Sequence, residues 1–202
     1  KHIMKGYGWT DHIPVVLRGQ TDIEHHLLHF LENHDEQRIA SPEFAGDARL
    51  GMPAMVVSAT LTTSPTMGYF GQEVGEPGAE DAGFGKPSRT SIFDYIGVPH
   101  HQRWMNGGAF DGGASTDSEK ALRDSYSRLP NFTVGSRALM GAYADIHYYN
   151  KEHTPGYDQR VYSFVRWEGS DRLVIVSNFE KDRSYAFDLR LPGELIREWG
   201  LS

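Results

Sequence analysis

Asn33, His34, Asp35, Glu36 and Arg38 stand within six residues of one another, directly after an apolar run. An amide, an imidazole, two carboxylates and a guanidinium at that spacing can donate, accept and carry charge on one small ligand. The run before them, Leu27 to Leu31, is interrupted only by His29, and its length suits a buried parallel strand. Asn33, His34 and Asp35 then fall at the carboxyl end of that strand. In sheets of alternating strands and helices, catalytic and ligand-binding side chains gather at that end. The stretch alone is equally compatible with a polar loop in which Asp35 caps the next helix.

The elements that would position these residues follow from the rest of the pattern. Ser41 before Pro42, and again Asp47, are helix-start signals. Met52 to Leu61 is apolar nearly all round, which predicts a buried helix despite Pro53. Ser64-Pro65 ends it, and Thr66 to Gly71 reads as a second strand that delivers Gln72 and Glu73 to its carboxyl end. Strand, helix and strand at this separation form a parallel crossover unit, which puts Asp35 and Glu73 on the same face.

Upstream, Lys1 to Gly8 reads as a helix end stopped by glycine, and Trp9 to Gln20 as a loop containing Pro14. Gly75 to Gly113 is rich in glycine and proline and carries Phe84, Phe93, Tyr95, Trp104 and Phe110, which predicts an ordered binding loop. Tyr95, Trp104 and Phe110 are its candidates for stacking on flat apolar faces, with packing of the loop as the alternative role. Thr116 and Glu119 form a capping box, with Leu122, Tyr126 and Leu129 at helical spacing behind it, and a short helix is expected over Ser136 to Tyr143. Beyond Asn150 the pattern turns to three strands, Arg160 to Trp167, Arg172 to Phe179 and Ser184 to Leu191. The expected fold is α/β over residues 1–150 and antiparallel all-β over 151–202, with few strands for a closed sandwich.

The 202 residues carry a formal charge of −7 and no basic cluster, which argues against nucleic acid or an anionic membrane as the main partner. No apolar run approaches the roughly 20 residues needed to span a bilayer. The absence of cysteine removes disulfides, thiolate zinc sites and cysteine nucleophiles together, and leaves secreted, periplasmic and cytoplasmic locations open. The first residues hold neither a signal-peptide core nor an initiator methionine, and the chain reads as a piece of a longer one.

Phe30-Leu31-Glu32-Asn33-His34-Asp35 resembles the seventh-strand motif of the α-amylase family of glycoside hydrolases (family 13), and Met67-Gly68-Tyr69-Phe70-Gly71-Gln72-Glu73 resembles its eighth strand and following turn. The later helix and strands fit the family's last barrel helix and C-terminal β domain, so the resemblance covers nearly the whole chain. It implies the C-terminal part of a (β/α)8 TIM barrel, strands 7 and 8 with their helices, followed by a small, incomplete antiparallel β domain of sandwich type. It also implies a parent enzyme that cleaves or transfers α-glucosidic bonds of starch-like oligosaccharides or polysaccharides with retention. By position, Asp35 would stabilise the transition state through the ring hydroxyls of the sugar at the cleaved bond. His34 would bond the same sugar, with Asn33 and Arg38 on the substrate side. The family's nucleophile and acid/base lie on its fourth and fifth strands, outside these residues, so the chain alone is expected to be inactive, because retention needs two carboxyl groups about 5 Å apart. No cofactor or metal is expected here, the family's calcium site belonging to a part inserted earlier in the barrel. Open barrel edges predict self-association.

Two further readings compete. His25, His26, His29 and the His34-Asp35 pair resemble the metal site of phosphohydrolases of the HD type, although that family is all-helical. The other is a non-catalytic module that binds glucan or a partner chain.

Overall fold

The computed structural model describes residues 2–78 and 98–201. They group into two units, one of Leu28–Ala59 and Pro65–Val134, the other of Lys1–Leu27, Thr60–Ser64 and Gly135–Ser202. This division differs from a boundary at residue 150, because the first residues pair with the strands near the end of the chain. Thr10 donates its hydroxyl to Val161 O at 2.8 Å and to Gln159 O at 2.9 Å, and the Arg160 guanidinium donates to Gly8 O and Ile3 O, each at 2.7 Å.

In the first of these units β1 (His29–Phe30) pairs in parallel with β2 (Thr66–Met67), His29 opposite Thr66 and Phe30 opposite Met67, and α2 (Met52–Thr60) connects them. A helix α1 (His12–Arg18) lies earlier in the chain, in the other unit. The crossover expected from the spacing is therefore present, though each strand is only two residues long and Thr66 to Gly71 does not continue as a strand. Ser58 O near the helix end accepts from His29 Nδ1 at 3.1 Å and from the Thr66 hydroxyl at 2.9 Å, so one carbonyl left over by the helix ties it to both strands. Helix entry is set by Asp47, which accepts from Arg49 N at 2.9 Å. The other signal, Ser41-Pro42, opens only turns: Phe44 N and Gly46 N both bond Ser41 O, and Gly46 at φ +72° turns the chain away from a helix.

Alternation along β1 sorts its side chains. His29 and Leu31 face α2, Leu31 packing on Met55, Leu122 and Tyr126, whereas Leu28 and Phe30 are exposed. The strand expected to be buried on both faces is thus covered on one. Gly75 to Gly113 is not a single loop: α3 (Pro99–Met105) lies within it, started by a proline at its first turn and followed by a tight turn at Asn106–Gly108. Tyr95, Phe84 and Phe93 fall outside the described residues. Helix α4 (Asp117–Gly135) begins with the expected capping box, Glu119 N donating to Thr116 Oγ1 at 3.3 Å and Thr116 N to Glu119 Oε2 at 2.9 Å.

The other unit holds α1 (His12–Arg18), where a loop was expected; Pro14 sits in the first turn, where its missing N–H costs nothing. Its sheet runs β3 (Ala142–Asp145), β4 (Val161–Glu168), β5 (Asp171–Asn178), all antiparallel. Strand β3 replaces the end of the helix expected over Ser136 to Tyr143, of which only a single turn at Arg137–Met140 forms. Gly141 marks the change: a Cβ there would stand 2.0 Å from Trp167 O, so only glycine admits β3 to β4. Arg166 is buried in this unit, and its guanidinium donates to the carbonyls of Thr60, Leu61, Leu139, Gly141 and Ala142.

Helices α5 (His147–His153) and α6 (Gly193–Glu198) complete the unit, with Ile146, Val165, Leu195 and Trp199 as its core. The third expected strand does not form. Tyr185, Phe187, Leu189 and Leu191 do alternate inward with exposed Ala186, Asp188 and Arg190, yet no neighbouring strand pairs with them among the described residues. The side chain of Asn150 stands in for one: Arg190 N donates to its Oδ1 and its Nδ2 donates to Arg190 O, each at 2.9 Å. Among the described residues the sheets are this single antiparallel one and the parallel pair, with no closed barrel and no second layer of a sandwich.

Candidate functional site

The residues after β1 form a braced turn. Asn33 Oδ1 accepts from Asp35 N and Glu36 N, both at 2.9 Å, which closes an Asx turn and folds the amide oxygen inward instead of toward a ligand. Asn33, and not Asp35, therefore caps this bend, and no helix follows it. His34 and Asp35 stand side by side on its outside, Nε2 to Oδ2 at 3.3 Å, with side-chain exposures of 46% and 76%. An imidazole and a carboxylate presented together in this way can bond the adjacent hydroxyls of a polyol.

Beneath the turn lies an ion pair that sequence reading did not foresee. Arg38, expected on the substrate side, is fully buried, as is Glu32. Glu32 Oε2 accepts from Arg38 Nη1 at 3.0 Å, Glu32 Oε1 accepts from Ile39 N at 2.6 Å, and Arg38 Nη1 also donates to Phe70 O at 2.9 Å. The guanidinium carbon sits 4.5 Å from the Tyr69 ring centre and 5.2 Å from that of Phe70. Gly71 at φ +80° lets the chain turn here; a Cβ would meet Glu76 Cβ at 3.1 Å. The signal that marks the pair is a glutamate directly after Phe30-Leu31 and an arginine directly before Ile39, charges set against apolar neighbours at both ends of one turn.

The residues after β2 serve the interior. Gln72 is buried and donates to the Tyr126 phenol at 2.9 Å, while Glu73 pairs with Arg123 at 3.0 Å, so neither stands free beside Asp35 as a second reactive group. Burial pushes the Tyr126 phenol well above its ordinary value. Trp104 packs under Arg123, whose guanidinium carbon lies 4.1 Å from its ring centre, whereas Phe110 is exposed. Glu119 is buried and would be pushed up by that burial, but bonds from Arg103 and Thr116 N outweigh it and hold the carboxyl below its usual range. Glu76, also buried, accepts from His100 N at 2.9 Å at the start of α3.

The histidines of the metal reading have separate tasks: His29 bonds Ser58 O, His25 and His26 contact one another, and His34 meets Asp35. Among the described residues no three histidine, aspartate or glutamate side chains gather as a metal site.

The other unit has its own polar centre. His147 is fully buried, with Nε2 at 2.6 Å from Asp11 Oδ1 and Nδ1 at 3.0 Å from the Tyr157 hydroxyl, which lies 2.8 Å from Ser163 Oγ. The neutral ring fits this arrangement, Nε2–H donating to the carboxylate and Nδ1 accepting from the phenol. Burial lowers the His147 pKa more than Asp11 raises it. Burial would raise Asp11, but bonds from Lys151 and His147 win and lower it. Burial pushes the neighbouring Tyr143 phenol up to about 12.

Compared with known proteins, the chain matches no family model and no curated protein.

Proposed function

We propose that this chain is the C-terminal portion of the (β/α)8 barrel, with the beginning of the following β domain, of a retaining enzyme that cleaves or transfers α-glucosidic bonds of starch-like glucans. The observation that carries this reading is the exposed His34-Asp35 pair on a braced turn at the carboxyl end of β1, in a parallel strand-helix-strand unit. The open face of β1 supports it too, since Leu28 and Phe30 have the apolar character of side chains that fill a barrel interior.

In this reading Asp35 accepts hydrogen bonds from the ring hydroxyls of the sugar at the cleaved bond. Those bonds strengthen, and its fixed negative charge gains, as positive charge develops on the sugar. His34 bonds the same sugar and sets its orientation. The nucleophile and acid/base are supplied by strands outside these residues, so the chain alone binds glucan without turning it over. No metal or cofactor is assigned to it.

The test is Asp35→Ala in the full-length protein that carries this chain, assayed on maltoheptaose. kcat should fall by about 10²–10³-fold, the cost of losing one preorganised electrostatic partner, with the unfolding transition unchanged. Activity that survives would overturn the role given to Asp35. The isolated chain should also self-associate in sedimentation equilibrium through the open face of β1, and Phe30→Ser should weaken that association; a strict monomer would count against the partial barrel.

A further inference from the structure

We propose that Glu32 and Arg38 are positioning residues for the α-glucan site, a buried clamp that fixes the turn carrying His34 and Asp35 to the end of β2. The proposal rests on the reading of Asp35 given above and adds two residues that never meet the substrate.

Glu32 enters the turn and Arg38 leaves it, and the two are joined on the inside. One carboxylate oxygen takes Ile39 N and the other takes Arg38 Nη1, so a single side chain closes the backbone across the turn. The same guanidinium nitrogen donates to Phe70 O, which sets the turn against the residues following β2. Tyr69 and Phe70 hold the guanidinium through their rings, and Asn33 fills the bend from within. Asp35 thus has a constrained backbone beneath a largely exposed carboxylate.

A buried ion pair is a costly way to gain stability, because both charges lose water and an apolar pair of similar volume does as well or better. What the pair supplies that an apolar pair cannot is direction: three bonds of fixed geometry converge on the base of one turn. Transition-state bonds to sugar hydroxyls depend on such placement, and a displacement of about 1 Å is enough to cost on the order of 10²-fold in rate. Arg38→Lys keeps the charge and loses the planar group seated by Tyr69 and Phe70. Glu32→Gln keeps the acceptor for Ile39 N and loses the charge.

The experiment is a double-mutant cycle in the full-length protein on maltoheptaose, with Asp35→Asn as the second site. Arg38→Lys should lower kcat by about 10–100-fold with KM changed less than about 3-fold. In the Asp35→Asn background the same substitution should change kcat by less than about 2-fold, because a clamp acts only through the group it holds. An equal loss in both backgrounds, or no loss in the first, overturns the proposal. Should Arg38→Lys fail to fold, Glu32→Gln carries the same cycle with the same criteria. Amide hydrogen exchange gives a readout independent of turnover: Asp35 N and Glu36 N should exchange faster in either clamp variant while the amides of α2 do not change. Unchanged exchange at Asp35 and Glu36 overturns the clamp. If Asp35→Asn itself retains full activity, the α-glucan reading falls instead, and exchange alone then decides whether the clamp exists.

Discussion

At the scale of single residues, type and spacing singled out one turn but not which of its members face outward. His34 and Asp35 are exposed, but Asn33 spends its amide oxygen on its own backbone and Arg38 lies in the interior. The burial of Arg38 was hard to read because its partners Tyr69 and Phe70 are more than thirty residues away, and the local setting of charge against apolar neighbours does not say what will enclose it. Glycines carry similar hidden information. Gly141→Ala should destabilise by about 3 kcal/mol, the upper end for overpacking, because the atom in its way is the backbone oxygen of Trp167 and not a flexible side chain. Urea unfolding would read this as a lower midpoint at constant slope. A neutral substitution would mean that β3 tolerates separation from β4.

At the scale of elements, helices with a full local signature were legible. The apolar run of α2 and the capping box of α4 act within a few residues, and both helices form where they were expected. Strand β3 was not legible, because its extended conformation comes from pairing with β4, about twenty residues later. The run from Ser184 to Leu191 shows the converse. Its alternation is real, and its partner is not a strand but the Asn150 side chain, which also bonds Ile146 O and the Thr154 hydroxyl. Asn150→Ala removes these bonds and leaves Arg190 N and O short of partners, an expected loss of about 2–4 kcal/mol. Proteolysis between residues 184 and 191 should become faster in the variant, and an unchanged cleavage rate would show that Leu189 and Leu191 alone hold the run in place.

At the scale of the molecule, the grouping of the first residues with the last strands was not legible, because bonds such as Thr10 to Val161 leave no trace in local pattern. The closed barrel implied by resemblance stays a proposal, resting on one parallel pair among the described residues. The Asp11-His147 centre gives the unit that contains it an acid sensitivity that begins near the ordinary histidine range. His147 has a folded pKa below the ordinary 6.5, so the unfolded chain binds the proton more readily. Its contribution to stability is full above about pH 6.5 and is lost as pH falls through the folded value. Asp11, lowered from 3.8, and Glu119, lowered from 4.5, act in the same direction but only at lower pH. The urea midpoint of the unit containing His147 should therefore drop between pH 8 and pH 5, followed by amide exchange in β4, and His147→Gln should flatten that slope. A midpoint independent of pH over this range would mean that the ring is protonated as readily in the fold as outside it.

The carbonyls gathered by Arg166 have a consequence for synthesis on the ribosome. Residues 60 and 61 are made well before the guanidinium that organises them, which arrives only with β4, as do the acceptors for Thr10. At the usual pace of translation those segments wait about 5–30 s for these partners, while more than a hundred residues follow. Leu28–Ala59 and Pro65–Val134 are synthesised before that point, so a nascent chain would hold the segments of one unit while those of the other still await β3 to β5.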